Sequence, residues 1–141
     1  LLDGKEVTLS DHEGSDVVIL DFWATWCPPC KKAMPELDAI AEKYSDKSVA
    51  VYAVNQQEGK QKVRQFMNDR DLGLTVMLDK NGDIADDYNV RGIPHTVLIG
   101  KEGKVQSTHT GYDPRMKQTL SSEIDKLLAG ESLTGSGSEA N

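Results

Sequence analysis

Cys27 and Cys30 are the only cysteines in this chain, and they stand two residues apart. A thiol pair at that spacing can close into a small disulfide ring and reopen. Attack on a disulfide needs a thiolate, so one of the two sulfurs must be placed where its anion is favoured. The run Val17-Val18-Ile19-Leu20 reads as a buried strand, and Cys30 through Tyr44 reads as the helix that follows it. Ala33, Met34, Leu37, Ile40, Ala41 and Tyr44 recur at helical spacing and give that helix one apolar face. Cys27 then lies just before the first turn, where unpaired N–H groups and the positive end of the helix dipole favour an anion. Pro28 and Pro29 suit first-turn positions, because nitrogens there lack helical partners, yet they remove two donors from the Cys27 sulfur. Pro35, deeper in, is expected to kink the helix.

Position assigns the roles. Cys27 is expected to be the exposed nucleophile that forms a mixed disulfide, and Cys30 the covered thiol that resolves it. Two plainer readings compete. A stapling disulfide would close too short a loop to constrain an unfolded chain much. A zinc site would need four ligands, and no second cysteine pair exists.

At 141 residues the chain has room for one domain with a proper core. Its formal net charge of -7 argues against nucleic acid or an anionic membrane surface as partner. No apolar run approaches a membrane span. The chain opens at Leu1, so an upstream signal or anchor removed before it is compatible with the sequence. Residues 1–130 are expected to form the domain. Residues 131–141, rich in Gly and Ser, are expected to be a flexible tail.

Glu6-Val7-Thr8-Leu9 suggests a leading strand, followed by a polar loop through Ser15. The strand from Val17 to Trp23, the helix and the strand Val49–Val54 make a βαβ unit, with parallel strands and a right-handed crossover. Val63, Phe66 and Met67 mark an amphipathic helix over about Lys60–Asp71, and Thr75–Leu78 a brief strand before the Asn81-Gly82 turn. A short helix over Ile84–Tyr88 comes next. Thr96–Ile99 and Val105–Thr110 flank Gly100-Lys101-Glu102-Gly103 and read as a hairpin. Asp113 is expected to cap, and Pro114 to open, a last helix lined by Met116, Leu120, Ile124, Leu127 and Leu128. The expected fold is a three-layer α/β sandwich, a central mixed sheet with helices on both faces.

With these residues in place the chain resembles a thioredoxin-fold protein. Asp21-Phe22-Trp23-Ala24-Thr25-Trp26-Cys27-Pro28-Pro29-Cys30 is similar to the active-site segment of that family. Val90-Arg91-Gly92-Ile93-Pro94-His95-Thr96 resembles its second signature, a loop whose cis-proline faces the cysteines. The nearer resemblance is to extracytoplasmic thiol:disulfide oxidoreductases of the TlpA/ResA type, many of them active in cytochrome c maturation. Asn55 through Asp79 resembles their central insertion, and the likeness covers about Asp3 to Leu128.

The resemblance implies a redox pair at Cys27 and Cys30 and a cis-proline at Pro94, an isomer that an ordinary X–Pro bond adopts in only about 5–6% of cases. It implies that Ile93 offers backbone hydrogen bonds to an extended substrate segment. Trp26 is expected to cover the site as a flat apolar contact, beside Pro28 and Pro29, while Trp23 packs inside. Two acids are candidates for the proton of Cys30. Asp21 shares a strand face with Val17, Ile19 and Trp23, so it should be buried below the cysteines with a raised pKa. Glu58 follows the second strand and matches an active-site glutamate of the ResA-like group, whose members commonly carry a neutral residue where Asp21 stands. Which acid handles the proton is open at this point.

No cofactor or metal is implied. The implied partners are protein disulfides, apocytochrome c among them, and an upstream thiol donor at the membrane, the domain acting as a monomer outside the cytoplasm. With donors lost at both prolines, the couple is expected to be no more reducing than thioredoxin's, about -270 mV. The alternative from another class is a copper metallochaperone using Cys27, Cys30 and His95, a soft pair with an imidazole. His12 and His109 read as surface residues, and the ring of His95 is expected to face away from the cysteines.

Overall fold

A run of apolar residues with no alternation calls for a strand buried on both faces, and the central strand of the sheet has that character. The computed structural model describes residues 9–131. Within them β1 (Val17–Trp23) is buried at every position. The chain continues through α1 (Pro28–Lys43), β2 (Val49–Gln56), α2 (Lys60–Asp69), β3 (Thr75–Asp79) and α3 (Asp83–Asp87). It ends with β4 (His95–Ile99), β5 (Val105–Thr110) and α4 (Met116–Leu128). The strands lie in the order β3-β2-β1-β4-β5. β1 pairs with β2, and β2 with β3, in parallel; β4 is antiparallel to both β1 and β5. The sheet is therefore mixed, as expected.

The parity of β1 divides the core. Val17, Ile19 and Trp23 point to one face, where they meet Met34, Leu37 and Ile40 of α1, Phe66 of α2, and Leu120 and Ile124 of α4. Val18, Leu20 and Phe22 point to the other, against Tyr52, Met77, Val97 and Ala85 of α3. Each large apolar side chain buried this way contributes roughly 1.5–3 kcal/mol. Among the described residues the layers are unequal, with α1, α2 and α4 on the first face and short α3 and the 3-10 helix Leu9–His12 on the second. Tyr44, which follows α1, ties that helix to α4: its hydroxyl lies 2.7 Å from Asp125 Oδ1.

Several boundaries move. Residues 6–8 of the expected leading strand lie outside the described residues, and Leu9 instead opens a short 3-10 helix, Leu9–His12. Of the expected tail, all but Glu131 lies outside them. α2 ends at Asp69, because Asp71 takes a left-handed φ of 53°. α1 begins at Pro28 and runs through Pro35 as one 16-residue helix. α4 begins two residues after Pro114; the Asp113 carboxylate accepts from Arg115 N at 2.8 Å and holds the preceding turn. The segment Asn55–Asp79 is built as the end of β2, α2 and the edge strand β3. The chain then turns at Gly82, whose φ of +79° suits a residue without a Cβ, and Asp79 caps α3 by accepting from Ile84 N and Ala85 N.

Candidate active site

β1 ends at Trp23, and four residues later the chain reaches Cys27, the N-cap of α1, with extended backbone at φ -98° and ψ 107°. Pro28 and Pro29 fill the first helical positions, so the first free first-turn donor is Cys30 N–H, which points at Cys27 Sγ from 3.3 Å. The two cysteines form a disulfide, their Cα atoms 5.2 Å apart. Cys30 is fully buried. Cys27, expected to be exposed, retains only 3% of its surface, because the Ile93 loop and the helix start close over it. The Ile93–Pro94 bond is cis, and the Ile93 carbonyl oxygen lies 3.8 Å from Cys27 Sγ. Around this small opening Trp26 is 63% exposed, and Pro28 and Pro29 are exposed as well. Trp26 thus extends into solvent beside the pair. Trp23 is buried against Phe66, their ring centroids 5.2 Å apart.

The two acids differ in environment. Asp21 is wholly buried on the face that carries the cysteines, between Ala53 of β2 and Thr96 of β4. Thr96 Oγ1 donates to its Oδ1 at 3.0 Å, and Oδ2 has no hydrogen-bond partner. Burial pushes its pKa from 3.8 to about 7, against the lowering effect of the Thr96 bond. Glu58 is also covered, its side chain 6% exposed, but it is saturated with donors. Its Oε1 accepts from Thr25 N and Asn55 Nδ2, both at 2.8 Å. Its Oε2 accepts from Thr25 Oγ1 at 2.6 Å and lies 3.2 Å from Lys62 Nζ. Burial alone would raise its pKa, but these donors together outweigh burial and hold it below the ordinary value.

His95 is not part of this cluster. It pairs with Phe22 across the β1–β4 ladder and packs on the opposite face, its ring 6.3 Å from that of Phe22. Nδ1 lies 2.9 Å from Thr110 Oγ1, and burial, then the neighbouring His109, lower its pKa. The sheet stands between this ring and the sulfurs, so the copper set of Cys27, Cys30 and His95 is not assembled. The other histidines are less free than expected of surface residues. His12 is held between Asp16 and the Tyr52 hydroxyl, each at 2.7 Å, and His109 Nε2 lies 2.8 Å from Glu123 Oε1.

Four residues emerge that the sequence reading gave no role: Thr25, Asn55, Lys62 and Thr96. A signal existed for Thr96, a hydroxyl at a core-facing position of an apolar strand. Thr25 carries no such mark, because its partner, Glu58, comes from a different loop; Asn55 and Lys62 stand three and four residues from Glu58, a local spacing that could have flagged them.

A model of the AhpC/TSA family matches residues 1–108. The chain belongs to that family. ResA, a thiol-disulfide oxidoreductase of Bacillus thuringiensis subsp. konkukian, is 40% identical over 126 residues, which span 89% of this chain and 71% of that protein. Among solved structures, a Chlorobium tepidum protein assigned as the thiol:disulfide interchange protein DsbE superposes with a TM-score of 0.80 at 37% identity, covering 86% of each chain. The exposed lipoprotein thioredoxin of Streptococcus pneumoniae does so with a TM-score of 0.77 at 32% identity, over 89% of this chain and 95% of that one. The fold is thioredoxin-like, and this member of the family is a thiol-disulfide oxidoreductase whose CxxC pair is Cys27 and Cys30.

Proposed function

We propose that the domain reduces protein disulfides outside the cytoplasm, with Cys27 as attacking sulfur and Cys30 as resolving sulfur. The observation that carries this assignment is the asymmetry of the pair: Cys30 has no accessible surface, whereas Cys27 keeps a small opening bordered by exposed Trp26, Pro28 and Pro29. A partner's disulfide reaches the first sulfur and not the second.

In the reduced protein the Cys27 thiolate attacks one sulfur of the partner's disulfide and expels the other, which takes up a proton. Cys30 then attacks Cys27 Sγ in the mixed disulfide, its proton passing to Asp21, and the partner's second sulfur leaves. Two electrons move to the partner, whose two sulfurs take their protons from solvent, while the Cys30 proton stays on Asp21 and the Cys27–Cys30 bond re-forms. Asp21 suits this task, since a carboxylate with a pKa near 7 accepts a proton at neutral pH and releases it again. Glu58, held ionised by its donors, is assigned instead to positioning the Thr25 loop that leads into Cys27.

The cis peptide at Pro94 leaves the Ile93 backbone beside the sulfur, where an extended substrate strand would lie, with Trp26 as its apolar support. The pneumococcal exposed lipoprotein thioredoxin supports a site of action outside the cytoplasm. An upstream thiol carrier at the membrane recharges the domain, which works as a monomer, and apocytochrome c is the first substrate to test.

A Cys30→Ala variant tests the reading. It is expected to accumulate mixed disulfides through Cys27 with reducible protein substrates, an oxidised apocytochrome c peptide included. A variant that captures nothing, while wild-type protein reduces the same substrates, contradicts the assigned roles.

A further inference from the structure

A buried base serves repeated turnovers only if its proton can return to solvent. For Asp21 the surroundings restrict the routes. The β2 residue opposite it is Ala53, which offers no polar side-chain atom. The helices over this face contribute apolar Met34 and Leu37 from α1 and Leu120 and Ile124 from α4. The β4 neighbour is Thr96, a hydroxyl that both donates and accepts.

Thr96, though buried, also borders a cavity on its other side. Its cross-strand partner on β5 is His109, and directly paired residues share a face with Cβ atoms about 4.5–5.5 Å apart. Both line a cavity of about 280 Å³ between β5 and the start of α4, bordered further by Asp113, Thr119 and Leu120. A polar cavity of that size admits several waters at about 30 Å³ each. At its outer side His109 Nε2 meets Glu123 Oε1 at 2.8 Å, and the two side chains are 36% and 21% exposed.

We propose that Thr96, His109 and Glu123 form the path by which Asp21 exchanges its proton with solvent. The inference rests on the reading of Asp21 as the base for Cys30. Asp21 passes its proton to Thr96 Oγ1 while the Thr96 hydroxyl proton leaves for water in the cavity. That water delivers a proton to neutral His109, which releases it to bulk water, and no residue keeps a net charge it did not start with. The charged groups facing His109 are Glu123 from α4 and Asp113 from the loop before it, and the titratable His95 lies on the other face of the sheet. The Glu123 hydrogen bond holds the imidazole pKa above its ordinary value, which makes the ring a ready acceptor near neutrality. Thr96 and His109 act through Asp21 and are positioning residues.

The test is multiple-turnover reduction of a peptide disulfide by the protein, recharged by a thiol reductant, followed from pH 5.5 to 9 in dilute buffer. Wild type, Thr96→Val, His109→Gln, Asp21→Asn and the Asp21→Asn/His109→Gln pair are compared. Thr96→Val and His109→Gln should each slow steady-state turnover about tenfold at pH 7, less than the ~10²–10⁴ typical of a general base itself. Added imidazole should restore His109→Gln, because the cavity admits it, and should leave Thr96→Val slow. In the Asp21→Asn background the His109 change should have no further effect. Wild-type rates in both single variants, or a loss that persists without Asp21 and ignores imidazole, would overturn the path and leave His109–Glu123 as a tie between β5 and α4. An Asp21→Asn variant at wild-type rate sinks the base reading as well; a slow one beside an unaffected His109→Gln sinks the path alone. If a variant folds poorly, hydrogen–deuterium exchange of the Asp21 carboxyl, read by infrared difference spectroscopy, still decides: it should be slower in Thr96→Val than in wild type, and equal rates would overturn the proposal.

Discussion

Asp21 shows how far one position in a strand fixes chemistry. With a side-chain period of two, its place between Ile19 and Trp23 puts it on the cysteine face whatever the rest of the fold does. Its pKa of about 7 against an ordinary 3.8 makes a stability statement. Between those values the folded state holds a proton that the unfolded chain has lost, so stability falls as pH rises. The contribution is fully present below the ordinary value and is gone above pH 7, a swing of about 4 kcal/mol. Asp21→Asn should therefore raise the melting temperature of the oxidised protein at pH 8 far more than at pH 4. An equal gap at both pH values would mean the carboxylate is solvated. The partner of Asp21 was not legible, because Thr96 meets it only through the register of an antiparallel pair set by the Pro94 loop.

Among the elements, the loop from β1 to α1 is the one that must be held still, since it aims Cys27. Glu58 holds it from the β2–α2 connection, through both the backbone and the hydroxyl of Thr25. Glu58→Gln removes the charge and sets an amide NH2 against a donor. A loss of about 1–3 kcal/mol at pH 7 is expected in denaturant titration. The Glu58 pKa is depressed, so its contribution is present above the ordinary carboxylate value and fades as pH falls through the folded value. The gap between variant and wild type should accordingly shrink in acid; a constant gap would point to lost packing instead. Element types were largely readable from periodicity, and their ends were not. α4 starts late because Asp113 holds a separate turn, and α2 stops early because the chain takes a left-handed φ at Asp71. Both depend on backbone geometry that apolar spacing does not report.

For the whole molecule, the question is which redox direction the fold favours. The Cys27 sulfur keeps one first-turn donor, Cys30 N–H, because Pro28 and Pro29 have none. A poorly stabilised thiolate raises the energy of the reduced state and makes the couple more reducing. The sequence-based ceiling at thioredoxin's potential therefore has the wrong sign. Equilibration with dithiothreitol should place the couple nearer thioredoxin's about -270 mV than DsbA's about -120 mV, and a value at the oxidising end would contradict the reductant role. The sequence by itself determined the reaction class, the order of strands and helices, and the burial of Asp21, because cysteine spacing and strand parity are local properties. Only the tertiary structure decided that His95 lies across the sheet from the sulfurs, that Cys27 is nearly covered, and that Glu58 is tied to Thr25 while Asp21 is left one hydroxyl. Those outcomes depend on which distant segments meet, and a meeting of that kind is fixed by packing and register, with no trace in the spacing of either segment alone.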